Sequence, residues 1–202
     1  MPNETSKSAT RRARHARFPQ RYFVGAGIDI GAGTDSLGNV DGLGAHLDKF
    51  PLITSCWNWD IEDGDAGLML GVEDNTFDFV HSSHCLEHLL NPVLALYNWY
   101  RILKPEGYLV VTVPDEDLYE QGIFPSTFNG DHKWTFTIHK AHSWSPASIN
   151  VTDLIARSIP TSKIIAIGLH DQHYQYGAPR HDQSGGDTEV EIEFILQKPP
   201  SI

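Results

Sequence analysis

Gly27-Ile28-Asp29-Ile30-Gly31-Ala32-Gly33-Thr34-Asp35 is a short apolar run with an acid near its end, breaking into glycines. That pattern reads as a buried strand opening into a loop. Gly31 and Gly33 let the backbone pass close to a ligand where a Cβ would intrude, and Asp29 can accept hydrogen bonds from a cation or hydroxyl. Ser36 stands where the third glycine of G-x-G-x-x-G would fall, so a nicotinamide or flavin reading loses its helix-packing element. Taken alone, the stretch describes an ordinary strand-to-loop turn equally well.

Downstream, three glycines, Gly38, Gly42 and Gly44, interrupt residues 37–47, so the first crossover reads as a poor or short helix. Residues 51–59 read as a second strand ending at Asp60, followed by Asp60, Glu62, Asp63 and Asp65 in close succession. Such a run is commonly a solvated loop. In a doubly wound sheet, however, a carboxylate at the C-terminal edge of this strand can take the two ribose hydroxyls, and a second can meet an adenine amino group. Asp60 is the ribose candidate and Asp65 the adenine candidate.

Residues 77–83 have the aromatic and β-branched content of a buried strand and run into His84-Cys85-Leu86-Glu87-His88. Asn91-Pro92 is a helix start, and Val93, Leu96, Tyr97, Tyr100 and Leu103 recur at helical spacing up to Pro105-Glu106-Gly107. Tyr108 to Pro114 is the clearest central strand and completes a βαβ unit, so the sheet is mostly parallel. Residues 115–144 are long, aperiodic and rich in Asp, His and aromatics, and are expected to form a substrate lid. Ser145-Pro146 opens a last helix, and residues 163–169 and 189–197 read as closing strands. The second of these alternates Val190, Ile192, Phe194 and Leu196 with polar neighbours.

Upstream, residues 1–17 form a polar arm with the basic run Arg11-Arg12-Ala13-Arg14-His15-Ala16-Arg17. It reads as a solvated tail or marginal helix, or as an arm folding over a ligand with Phe18, Tyr22 and Phe23 covering an aromatic base. Residues 18–202 are expected to be one domain. With 202 residues and 40% apolar composition, the chain can bury a sizeable core. No apolar run reaches the length of a membrane span and no signal peptide is evident, so a cytoplasmic protein without a membrane partner is expected. Cys56 and Cys85 lack C-x-x-C spacing and read as reduced thiols. A net charge of −11 argues against a nucleic-acid surface and favours a small-molecule partner.

With these pieces in order, the sequence resembles the class I S-adenosylmethionine-dependent methyltransferases, in particular the methyltransferase type 11 group. The resemblance runs from about Tyr22 to Pro114 and more loosely beyond, and is carried by Asp29-Ile30-Gly31-Ala32-Gly33, Gly64-Asp65-Ala66, Phe77-Asp78-Phe79-Val80 with His84-Cys85-Leu86-Glu87-His88, and Gly107-Tyr108-Leu109-Val110-Val111. It implies a Rossmann-like α/β fold: a doubly wound, mostly parallel sheet of about seven strands, helices on both faces and one antiparallel strand. It also implies S-adenosyl-L-methionine over the C-terminal strand edges, with Asp29, Gly31, Ala32 and Gly33 around the methionine part, Asp60 at the ribose, Asp65 and Ala66 at the adenine, and Ser83 and His84 facing the sulfonium. The short spacing between Asp60 and Asp65 departs from the family pattern and leaves Glu62 or Asp63 as ribose alternatives.

Methyl transfer from a sulfonium needs positioning, desolvation and, for a hydroxyl acceptor, removal of a proton. His132 beside Asp131 is the first candidate base, and His84 the second catalytic candidate. The aromatic and histidine content of residues 119–144 suits a small or glycan-like hydroxyl acceptor; N-methylation is the close alternative. Two other classes compete. His84, Glu87 and His88 match H-x-x-E-H of zinc hydrolases, but no third ligand is evident and no metal is expected. The chain could also bind the cofactor as a non-catalytic partner protein. His170, Asp171, His173, His181 and Asp182 form another conceivable metal cluster, best read as solvated loop.

Overall fold

The β-branched and aromatic runs form a central sheet, and the computed structural model describes residues 4–15, 17–38, 46 and 48–201. In chain order the elements are α1 (Glu4–Arg14), α2 (Phe18–Arg21), β1 (Gly25–Ile30), β2 (Ile53–Trp59), β3 (Phe77–Ser83), α3 (Pro92–Arg101), β4 (Leu103–Pro114), β5 (Thr135–Thr137), β6 (Ser148–Asn150), α4 (Val151–Ser158), β7 (Lys163–His170) and β8 (Glu191–Gln197). The main sheet runs β2-β1-β3-β4-β8-β7. β1, β2, β3 and β4 pair in parallel, and β8 is antiparallel to both of its neighbours. The sheet is thus of the expected type, with six strands where about seven were expected. Among the described residues, the chain passes from β2 to β3 through turns alone, its acids and glycines leaving no strand between them. β5 and β6 form a separate parallel pair. The first crossover, expected as a poor helix, falls largely outside the described residues.

Alternation along β1 and β3 sends side chains to two cores. Ile28, Ile30 and Val80 pack with Leu96, Trp99, Leu154 and Ile155 of α3 and α4 on one face. Phe79, Val110 and Ile195 pack with Ala9, Phe18, Phe23 and Phe50 on the other. Phe18 and Phe23, conceived above as a cover for a bound base, are therefore core residues: their rings meet edge to face at 5.3 Å. On α3 the buried stripe is Ala95, Leu96, Trp99 and Tyr100, while Tyr97 is 52% exposed. The face is rotated from the expected one because α3 packs on residues 66–72 as well as on the sheet. Its Trp99 Nε1 donates to the Ala66 carbonyl at 2.8 Å, and Asn98 Nδ2 to the Gly67 carbonyl at 2.8 Å.

The arm expected as a solvated tail is a helix with Thr5, Ser8, Ala9 and Arg12 buried. Arg11 contacts Glu189 at 2.9 Å, Glu191 at 2.8 Å and Glu193 at 3.2 Å, and Arg12 contacts Glu193 at 2.6 Å. Acids at every second position of a strand share one face, so the polar neighbours in β8 form a stripe that α1 covers with guanidinium groups. β8 is consequently buried on both faces rather than half solvated. No helix among the described residues is long and apolar enough to cross a membrane. Both cysteines are free thiols, Cys85 buried and Cys56 partly so.

Candidate active site

β1 ends in the glycine loop. Gly31 has φ +73°, and a Cβ there would lie 2.6 Å from the Cβ of Cys85, so both conformation and space demand glycine. Gly33 has φ +54° with nothing near the place of a Cβ. Asp29 is buried beneath the loop: its Oδ2 accepts from the Leu37 amide at 2.6 Å and its Oδ1 lies 2.6 Å from His81 Nδ1. His81 Nε2 is in turn 2.9 Å from Arg12. Asp29 therefore holds the loop in shape from below and does not face the cleft above it. Ala32 is buried and Ser83 accepts a hydrogen bond from Thr112 Oγ1 at 2.9 Å; Ala32, Gly33 and Ser83 stand near the cleft without lining it.

The cleft has a volume of about 880 Å³ and opens above the C-terminal ends of β1, β2 and β3. Gly31, Asp60, Asp65, Ala66 and His84 line it, five of the positions named from the sequence. Asp60 Oδ2 accepts from the Gly33 amide at 3.0 Å and its Oδ1 from the Ile61 amide at 2.8 Å, which locks the carboxylate at the rim with lone pairs to spare. Asp63 accepts from the Asp60 amide at 2.9 Å and so acts as a brace for the turn. Asp65 Oδ1 accepts from the Gly67 and Leu68 amides at 2.7 and 3.2 Å. Trp99 and Asn98 hold this loop from α3, as described above.

Several lining residues were not identified from the sequence. Ile61 and Leu90, each 83% exposed, stand with Leu68, Leu89 and Leu94 as an apolar wall. Exposed aliphatic groups beside a carboxylate suit a flat heteroaromatic ring with a polar edge. Ile61, a single apolar residue among four acids, was the available signal. His88 and Lys133 complete the far end.

That end is rich in imidazole. His84, with φ +50°, places Nε2 3.0 Å from Glu191 and Nδ1 3.6 Å from Glu87. Burial alone would lower its pKa, but Glu4, Glu191 and Glu87 outweigh it and raise it to about 10. His132 does not line the cleft. It is buried behind His88, their rings 5.0 Å apart, with Nδ1 2.7 Å from Glu120 and Nε2 without a partner among the described residues. Asp131, the expected neighbour of the His132 ring, instead meets His88 Nδ1 at 3.0 Å.

Of the residues expected as a lid, Lys133 alone lines the cleft. The segment is anchored by buried Glu116, which accepts from Thr135 Oγ1, Lys140 Nζ, Ser143 Oγ and Ser148 Oγ at 2.6 to 3.1 Å. The second conceivable metal cluster does not assemble among the described residues: Asp171 accepts from Tyr176 and the His173 ring meets Gln172.

Residues 45–111 match the family model described as a methyltransferase domain. An uncharacterized methyltransferase of Schizosaccharomyces pombe is 40% identical over 58 residues, covering 29% of this chain; the match spans a fifth of the yeast protein's length. Among solved structures, an S-adenosylmethionine-dependent methyltransferase from Archaeoglobus fulgidus superposes with a TM-score of 0.56 at 16% identity, covering 97% of each chain. Another from Clostridium acetobutylicum gives 0.57 at 11% identity, covering 96% of this chain and 92% of the other. At those identities the structural likeness establishes the fold, and the family match lies on the segment that builds the cleft.

Proposed function

We propose that this chain, which has the fold and the family match of a class I S-adenosylmethionine-dependent methyltransferase, transfers a methyl group to a hydroxyl of a small or glycan-like molecule. One observation carries the reading: a single cleft joins a glycine loop, two rim carboxylates braced by backbone amides, an apolar wall and a histidine-lined end.

The donor set fits the cofactor. Asp60 has lone pairs to spare for the ribose hydroxyls, Asp65 Oδ2 accepts from none of the described residues and is open to the adenine amino group, and Ile61 with Leu90 can flank the ring. Gly31 and His84, which line the cleft, would hold the methionine part, with Ala32, Gly33 and Ser83 close behind them and Asp29 fixing the shape of the loop. When bound, the cofactor supplies an electrophilic methyl group on a sulfonium.

The chain's own contribution is orientation and proton handling. His84 presents a fixed cationic wall beside Glu191. His88 faces the cleft and is placed to take the hydroxyl proton, while His132, buried behind it with Nδ1 held by Glu120, acts as a positioning residue for that ring. Lys133 at the rim suits an acceptor with oxygen substituents. The test is incubation with methyl-labelled S-adenosylmethionine and paired sets of phenolic, sugar and amine acceptors. Label in the hydroxyl sets that is lost in His88→Ala supports the reading; label in amines alone overturns it.

A further inference from the structure

Glu87 is the least explained group in the protein. It is fully buried, and neither carboxylate oxygen has a hydrogen-bond partner among the described residues. A buried carboxylate without partners costs several kcal/mol. Yet three imidazoles surround it: Oε1 lies 3.6 Å from His84 Nδ1, 3.8 Å from His88 Nε2 and 4.0 Å from His132 Nε2. These are contacts too long for hydrogen bonds and too short for an intervening water.

The tautomers sharpen the point. Each ring places its other nitrogen on a carboxylate: His84 on Glu191 at 3.0 Å, His88 on Asp131 at 3.0 Å and His132 on Glu120 at 2.7 Å. A neutral imidazole that donates from Nδ1 keeps a bare lone pair on Nε2. The Nε2 atoms of His88 and His132 both face Oε1 of Glu87, at 3.8 and 4.0 Å. Two ring nitrogens and a carboxylate oxygen that face one another in a dry interior, too far apart to hydrogen-bond, leave a gap of the size a small cation fills. A carboxylate that fixes the remote nitrogen is also the arrangement that orients histidines on metal ions.

We propose that Glu87, His88 and His132 form a binding site for a divalent first-row transition ion of the zinc type. The three ligand atoms lie within 4.8 Å of one another. Metal–nitrogen and metal–oxygen bonds of about 2.0–2.2 Å set neighbouring ligands roughly 3.4 Å apart in a tetrahedral site, so Glu87 has to close on each ring by about half an ångström. Two imidazoles and one carboxylate favour such an ion over magnesium or calcium, which take all-oxygen sets. His84 stays outside as a positioning residue for Glu87, its own Nε2 committed to Glu191. His88 is the one ligand that also lines the cleft, so the ion is reached from that side and leaves its remaining coordination position toward it. His132 supplies the third ligand that H-x-x-E-H lacks in the sequence, 44 positions beyond His88. An ion held here would occupy the His88 nitrogen to which proton removal was given above, so the two roles are alternatives at one place, and zinc uptake tells them apart whatever the methyl acceptor.

The test is zinc titration of chelator-treated full-length protein against a chromophoric competitor, with cobalt substitution as a second readout. Wild type should take up one tight equivalent of zinc and, with cobalt, show the intensified visible bands of a low-coordinate site. Glu87→Gln and His132→Ala should lose that equivalent, Glu120→Gln should weaken it about 10–100-fold, and His173→Ala, on an exposed loop, should leave it unchanged. Wild type that binds no zinc tightly, or Glu87→Gln and His132→Ala variants that bind as wild type, would overturn the proposal. Should those variants fold poorly, cobalt bands absent from wild type would overturn it equally.

Discussion

Glu193 and Glu87 are both carboxylates withdrawn from water, and they live in opposite circumstances. Glu193 is gripped by Arg11 and Arg12, and its β8 neighbour Glu191 by His84 and Arg11; burial raises the Glu191 pKa, but those cations bring it down to about 2. Glu87 has imidazole nitrogens around it and a hydrogen bond to none. A closed set of donors and acceptors holds a fold together, whereas an open set marks a place where something else belongs. Among the described residues, Glu189, Glu191 and Glu193 in the α1–β8 seam each hold a cation, although Arg12 Nη2 and Glu189 Oε2 are left over. At the histidine end of the cleft, both oxygens of one carboxylate are left over among the described residues.

The largest effect expected from that contrast is on the closed side. Arg12→Ala leaves Glu193 to Arg11 alone and strips His81 Nε2 of its neighbour in the interior, and should cost about 3 kcal/mol, read by urea unfolding. A loss below about 1 kcal/mol would mean that α1 merely rests on the sheet. Gly31→Ala comes next, since φ +73° and the approach of Cys85 both oppose a side chain. A stability loss of roughly 2–3 kcal/mol in thermal unfolding is expected, with weaker cofactor binding.

A third test titrates Asp115, at the junction of β4 and the anchored segment. Burial, only partly offset by the Leu118 amide, raises its pKa from 3.8 to about 6. A folded pKa above the unfolded one contributes stability that is fully present below the unfolded value and lost as pH rises through about 6. Asp115→Asn can still accept from both amides, so it should be more stable than wild type at pH 7, on the order of 1–2 kcal/mol, with the gap closing by pH 4. An equal gap at both pH values would reassign the effect to packing.

The smallest change is expected on the open side. Glu87→Gln in metal-free protein removes a buried charge that His84, at 3.6 Å, offsets without a hydrogen bond, so it should cost no more than about 1–2 kcal/mol. A loss comparable to that of Arg12→Ala would erase the distinction between the two regions.

What could be read beforehand follows the same division. β1, β3, α3 and β4 are short-range patterns of apolar period and punctuation, and they fall on residues 27–35, 77–83 and 91–114 as expected. The exception is that α3 stops at Arg101, and β4 begins at Leu103 and runs through the expected helix stop at Pro105-Glu106-Gly107. The rim carboxylates were legible because strand ends are legible. The docking of α1 was not: residues 4–14 are polar throughout, and the stripe Glu189, Glu191 and Glu193 gains meaning only when a distant helix brings arginines to it. The histidine end was half legible. His84, Glu87 and His88 share one motif, whereas His132 arrives through a segment whose course is set by Glu116 and its four donors rather than by periodicity. Placing His132 as the base followed its loop context and Asp131, and the fold instead gives it Glu120 and a view of Glu87.

The account rests most directly on the cleft, and calorimetric titration of S-adenosylhomocysteine tests it. Wild type should bind one equivalent, and Asp60→Ala and Asp65→Ala should each weaken binding at least about tenfold, the loss of a charge-assisted hydrogen bond or two. No binding to wild type, or binding indifferent to both carboxylates, would contradict the assignment of this cleft to the cofactor.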